Sequence, residues 1–310
     1  MTVGPSRTTA LRPAAGRLLA AVLLLASTAA CGGSGGERDA SGSPERPAPD
    51  PVERELDGKH YGPYEVRTDR FGADAVDGDF GGGTLYHPVG GPAPSGDGDS
   101  RRHGVVAAAP GLGADESMVE WFGELLASHG FVTVTLNTRA TDDTPDERAQ
   151  QIRSALGYAT RDSVAADRTD PRRLGVLGHS AGGGGALVAA AEHPAVRAAV
   201  PLTPYYDGTY DWSSVRTPTL IIGGDQDAVA PVADHAEPMY RGTGSREKAY
   251  LSLAGDHFVA NTPGALVAEQ TVAWFKRFVD GDRAAGRVLC PPPEPDGTEL
   301  LAAKHTCPHR

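Results

Sequence analysis

Few folds accommodate Gly178-His179-Ser180-Ala181-Gly182 where it stands, directly after the apolar run "RLGVL" and before an alanine-rich segment. A G-x-S-x-G pattern between a strand and a helix is the signature of a nucleophile elbow, a sharp turn that presents the serine on a strained corner. Such a turn requires small neighbours, and Gly178 and Gly182 supply them. The N-terminus of the following helix would point at the serine and favour negative charge developing there. The turn also presupposes a mostly parallel sheet whose strand ends carry the site, so strand-type and helix-type runs should alternate around it.

They do. Gly81–Pro88 reads as an early strand, followed by a long polar hairpin loop, "PVGGPAPSGDGDSRRHG". Val105–Pro110 and Phe131–Leu136 read as buried strands. Between them, Met118, Val119, Phe122, Leu125 and Leu126 fall at helical spacing, and Gly130 closes that helix. Asp146–Tyr158 suits a helix, Arg173–Leu177 a core strand, and the segment after Ser180 turns helical at Ala186–Ala191. "AVRAAVPL", "TPTLIIGG" and "KAYLSLAG" are three further strands, and Gly264–Val279 is an amphipathic helix. The tail from Cys290 reads as loop with room for a short strand. The predicted fold is α/β, a mostly parallel sheet flanked by helices.

A serine hydroxyl attacks only when a base removes its proton. In this fold the acid and then the histidine follow the serine in chain order. "TLIIGGDQDAVAP" ends one strand with Asp225 and Asp227, and "LSLAGDHFVANTP" ends the next with Asp256 and His257. His257 is the expected base, oriented by Asp225 or Asp227. Asp256 adjoins the ring too closely in sequence to orient it. His179 also neighbours the serine, but the turn aims it elsewhere. Two backbone N–H groups should face the developing oxyanion, one from Ala181 and one from Leu112 in "PGLGA".

The N-terminus carries a different message. Arg7, Arg12 and Arg17 precede the apolar run Leu18–Leu25, and small residues lead to Cys31. This is a secretory signal over residues 1–30. Its end resembles a bacterial lipoprotein signal, in which Cys31 is lipidated and becomes the mature N-terminus. The alternative is an ordinary signal with an unrelated cysteine. Lipidation would leave Cys290 and Cys307, of three cysteines in all, free to bridge in an oxidising compartment. Residues 31–58, rich in Gly, Ser, Pro and charge, read as a tether. A flexible chain of that length spans about 25–30 Å. Residues 59–310 are then a single catalytic domain, expected on the outer face of the cell membrane or secreted.

The formal charge is −11, and losing the three signal arginines would take it three units lower. No basic patch is evident, which excludes a nucleic-acid role, since binding there depends on neutralising phosphates. No metal-ligand spacing stands out, and no cofactor is expected. The domain is expected to be a monomer.

From about Tyr61 to Pro308 the sequence resembles the bacterial cutinase-type polyester hydrolases, an α/β-hydrolase branch related to dienelactone hydrolases. The likeness rests on "RFGADAVDGDFGGGTLYHP", "APGLGADES", "LASHGFVTVTLNT", "GHSAGGGG", "PLTPYYD", "PTLIIGGDQDAVAP", "AWFKRFVDGD" and the late cysteine pair, in the family's order. The resemblance implies Ser180 as nucleophile, Asp227 as acid, His257 as base, Leu112 and Ala181 as oxyanion donors, and a Cys290–Cys307 disulfide. It places Leu112, Tyr205 and Val229 along the substrate groove. Leu112 and Tyr205 depart from the family's aromatic residue and tryptophan, and Ala181 from its methionine. Only "TPYYDGTYDWSSVR" separates two adjacent strands, too little for a helical lid. The expected function is ester hydrolysis through an acyl-enzyme on an open site, cutinase-like, with poly(ethylene terephthalate) within the substrate range. The competing readings are a short-chain carboxylesterase or lipase and, more remotely, a dead hydrolase scaffold that binds.

Overall fold

The computed structural model describes residues 60–91 and 102–309. The expected signal, Cys31 and the tether to residue 58 lie outside the described residues. Nine strands form one sheet: β1 (Glu65–Gly72), β2 (Gly82–Val89), β3 (His103–Ala109), β4 (Val132–Leu136), β5 (Thr169–His179), β6 (Val196–Leu202), β7 (Thr219–Gly224), β8 (Lys248–Leu253) and β9 (Leu300–His305). Their order is β1-β2-β4-β3-β5-β6-β7-β8-β9. The middle of the sheet is parallel, whereas β1, β2 and β9 run antiparallel to their neighbours. This is the mixed sheet of an α/β-hydrolase.

The helices are α1 (Glu120–Ser128), α2 (Pro145–Arg161), α3 (Ala181–Glu192), α4 (Ala236–Gly242), α5 (Ala265–Phe278) and α6 (Gly286–Leu289). Alternation along the central strands divides the core. Val106, Ala108 and Leu177 pack with Phe122, Leu125, Trp274 and Phe275 of α1 and α5. Val105, Ala107 and Val176 pack with Ile152, Leu156, Val188 and Ala189 of α2 and α3. Both sides of each strand are therefore apolar, which is why these strands read as continuous hydrophobic runs. Each large side chain so buried contributes roughly 1.5–3 kcal/mol relative to exposure.

Local chemistry sets the helix ends. Thr144 and Glu147 close a capping box at the start of α2, with Pro145 in the first turn. At the end of α1, Gly130 adopts φ +95°, and Gly130 N and Phe131 N donate to Ala127 O and Leu126 O at 2.9 and 3.1 Å. That is a Schellman stop, and it satisfies carbonyls the helix would otherwise leave open.

Four features differ from the sequence reading. Helix α3 begins at Ala181, not near Ala186. Strand β1 and helix α4 were not anticipated. The segment after β2 is not a hairpin loop, because β2 pairs with β1 and β4, and β4 separates it from β3. The tail does supply the short strand that its sequence left room for, β9, paired antiparallel with β8.

Candidate active site

Strand β5 delivers Ser180 at its C-terminal end, and α3 starts at the next residue. Ser180 sits at φ 56°, ψ −120°, a conformation that side-chain-bearing residues rarely adopt. The corner is held by backbone: Ser180 N donates to Leu202 O at 3.0 Å, and Ser180 O accepts from Tyr205 N at 2.9 Å. The glycines are required by contact. A Cβ on Gly178 would lie 2.2 Å from Gly182 O, and one on Gly182 would lie 2.4 Å from both Ala109 O and Pro110 O. The loop after β3 also crosses close, since a Cβ on Gly111 would lie 2.9 Å from Ser180 Cβ. Leu112 is thus the chain neighbour of a residue packed on the serine corner, and Ala181 follows the serine directly.

The loops after β7 and β8 supply the other groups. His257 Nδ1 lies 2.7 Å from Asp227 Oδ2, with both side chains buried. Asp227 Oδ1 accepts from Val229 N at 2.9 Å and Ala230 N at 2.7 Å, so the carboxylate is fixed on both oxygens. Asp225 is occupied elsewhere, accepting from Gly255 N at 2.9 Å, and Asp256 accepts from Phe258 N at 2.9 Å. With its Nδ1 proton on Asp227, the ring presents a free Nε2. Among the described residues, Ser180 Oγ makes no hydrogen bond to that ring. Such pairs commonly stand looser until a reacting group lies between them.

His179 has a structural part. Its side chain is buried, its Nε2 donates to His257 O at 2.9 Å, and its ring stands 4.7 Å from that of His257. Burial pulls its pKa down to about 4, so the ring is neutral near pH 7. Thr203 Oγ1 donates to the same carbonyl at 2.8 Å. The backbone of His257 is thus tied to the ends of β5 and β6.

Around this floor the surface is apolar. Leu112, Val229 and Phe258 are 49%, 60% and 47% exposed, three of the five large hydrophobic residues among the described residues that stand out into solvent. All three lie on loops that touch or carry Ser180, Asp227 or His257. Tyr205 is half-buried, its ring 4.8 Å from that of His235. Residues 203–218 hold one short 3-10 turn, Trp212–Ser214, and no lid helix. Phe258, His235 and Thr203 were not singled out from sequence. Only Phe258 left a signal there, as a large apolar residue directly after the histidine. The late cysteines are bonded, with Cα atoms 5.8 Å apart.

The nine-stranded mixed sheet is that of an α/β-hydrolase, and its relatives place the chain among the carboxylic ester hydrolases. Residues 39–308 match the family model described as PETase, PET hydrolase-like, and the chain belongs to that family. It is 44% identical over 275 residues to Cutinase 2 of Thermobifida cellulosilytica, covering 86% of this chain and 99% of the relative. It is 42% identical over 293 residues to the bis(hydroxyethyl) terephthalate hydrolase of Streptomyces coelicolor, covering 94% of this chain and 89% of the relative. Cutinase est1 of Thermobifida alba is 40% identical over 277 residues, covering 86% and 88%.

Proposed function

We propose that Ser180, His257 and Asp227 are the catalytic triad of a cutinase-like polyester hydrolase. The observation that carries this is the 2.7 Å His257–Asp227 pair beside a serine held at φ 56°. Ser180 Oγ attacks the ester carbonyl carbon while His257 Nε2 takes its proton, and Asp227 stabilises the imidazolium. The oxyanion is received by the backbone N–H groups of Leu112 and Ala181. Collapse expels the alcohol, protonated by His257, and leaves an acyl-Ser180. Water, deprotonated by His257, then attacks the acyl carbon; the acyl–Oγ bond breaks, His257 returns the proton to Ser180 Oγ, and the acid is released.

The open, apolar rim of Leu112, Tyr205, Val229 and Phe258 suits a polymer chain laid across the surface. Cutinases and a bis(hydroxyethyl) terephthalate hydrolase among the relatives support the same substrate class. Aromatic polyester such as poly(ethylene terephthalate) falls in range but is gripped less well, because Leu112 offers no ring. The enzyme acts as a monomer without a cofactor, exported and held at the membrane through lipidated Cys31. The test combines fluorophosphonate labelling with a substrate panel. Labelling at Ser180, with release of soluble product from aliphatic polyester film, is expected. Labelling with turnover of short esters and none of film would leave a short-chain carboxylesterase. Absence of labelling in folded protein would leave a binding protein.

A further inference from the structure

Arg148 lies on α2, and its side chain is fully buried. A buried cation is costly unless its hydrogen bonds are all made. Among the described residues Arg148 forms no ion pair. Its nitrogens donate instead to three backbone carbonyls: Nε to Asp143 O at 2.9 Å, Nη1 to Pro110 O at 3.0 Å and Nη2 to Thr141 O at 2.8 Å.

Two of those acceptors bracket one short loop. Pro110 opens the loop that follows β3. Thr141 O also accepts from Gly113 N at 2.8 Å, which fixes the loop's other end. The guanidinium therefore grips Pro110 directly and Gly113 through Thr141. Leu112 lies between them, and its half-exposed side chain gives the loop no core anchor of its own. Gln151 steadies the turn that supplies the remaining acceptors, accepting from Arg139 N at 2.7 Å and donating to Asp143 Oδ2 at 2.7 Å.

We propose that Arg148 is a positioning residue for the oxyanion hole, clamping both ends of the Pro110–Gly113 loop so that Leu112 N–H faces the reacting carbonyl oxygen. This rests on the reading of Leu112 as an oxyanion donor. The planar fork matters as much as the charge. A lysine carries the cation but reaches one acceptor as a point donor and cannot span the three.

The test is Arg148→Lys, assayed on a chromogenic short ester and on its thiono analogue, whose sulfur anion accepts hydrogen bonds poorly. Loss of one oxyanion donor costs about 10²–10³-fold in kcat, so misplacing one should cost roughly tenfold. That loss should fall on kcat of the oxygen ester, with KM within about twofold, because the contact strengthens only in the transition state. Thiono-ester turnover should fall less, narrowing the oxygen-to-thiono rate ratio. The midpoint of the pH–rate profile should stay in place, since the His257–Asp227 pair is untouched. A folded Arg148→Lys enzyme with an unchanged ratio overturns the proposal, whatever its melting temperature. If that variant folds poorly, Gln151→Met loosens the same turn and should narrow the ratio in the same direction; no change there counts equally against the idea. Leu112→Pro, which deletes the proposed donor, separates the two layers. If Leu112→Pro keeps the wild-type ratio, the oxyanion reading itself fails. If it collapses the ratio while Arg148→Lys does not, only the role of Arg148 falls.

Discussion

The floor of the site and its rim are built on opposite principles. The floor is held by the main chain: Ser180 is tied at both its backbone N and its O, and the Asp227 carboxylate accepts from two backbone amides. Hardly any floor group has a second place to go. The rim is side chains standing into solvent, with Val229 at 60% exposure and Leu112 at 49%. On the proposed mechanism, chemistry that needs sub-ångström placement falls where the main chain is tied down, and substrate contact where a residue can change without disturbing its neighbours. The two regions should therefore respond to substitution in different ways and by very different amounts.

The largest effect is expected on the floor. Ser180→Ala should lower ester turnover by about 10⁴-fold or more, with His257→Ala comparable and the double variant little worse, because the groups act as a unit. Asp227→Ala should be far more damaging than Asp225→Ala. Steady-state kinetics on a chromogenic ester decide this. A Ser180→Ala enzyme at a tenth of the wild-type rate would remove the proposed nucleophile, and a reversed aspartate order would move the acid.

Next comes a stability effect within the floor. Burial depresses the pKa of His179 to about 4, so the unfolded chain, with a histidine near its ordinary value, binds that proton more readily. Stability is then fully present above pH ~6.5 and falls as pH drops toward ~4, by on the order of 3 kcal/mol from this group. His179→Gln keeps an N–H donor for His257 O and removes the titration. Melting curves between pH 7 and 4 should be flatter for that variant than for the wild type; parallel curves would assign the acid sensitivity to other groups.

Substitutions outside both regions sharpen the contrast. Cys290 and Cys307 are 17 residues apart in sequence. Closing a loop of that size stabilises by about 3 kcal/mol, chiefly through the unfolded state. The double serine variant should melt lower while kcat at 25 °C stays within about twofold of wild type. A large loss of kcat in folded protein would mean the staple reaches the chemistry.

The smallest effect is expected at the rim. Leu112→Tyr with Tyr205→Trp should raise product release from aromatic polyester film by roughly two- to tenfold, since ring–ring contacts contribute about 0.5–1.5 kcal/mol beyond area burial. Short-ester turnover should barely move. Equal changes on both substrates would erase the distinction between floor and rim.

How much of this the sequence disclosed depends on whether a residue's task has a periodic or positional signature. The central strands and α5 were legible because both follow clear hydrophobic patterns. The placing of Ser180, Asp227 and His257 just beyond the ends of β5, β7 and β8 was legible because those strands are clear apolar runs. Strand β1, "EVRTDRFG", was not, since as an edge strand it is largely exposed on both faces and shows no alternation. Helix α4, "AEPMYRG", is short and contains Pro238. The start of α3 was misplaced because Gly182–Gly185 are poor helix formers, each about 1 kcal/mol worse than Ala. Arg148 carried no signal, because a charged residue in an amphipathic helix ordinarily lies on the solvent face.

That glycine run sets a limit on how the enzyme can be altered. A Cβ at Gly184 would lie 2.2 Å from Tyr205 O, and one at Gly185 would lie 2.8 Å from Pro145 O. With Gly178 and Gly182 similarly confined by main-chain oxygens, these positions lack any side chain that could swing aside. In a library of random variants they should be nearly empty among survivors, a gap surrounding the serine corner. Selection for new substrates is thereby channelled outward, to the exposed side chains of Leu112, Val229 and Phe258, where a change alters what is held without disturbing the backbone that holds the site.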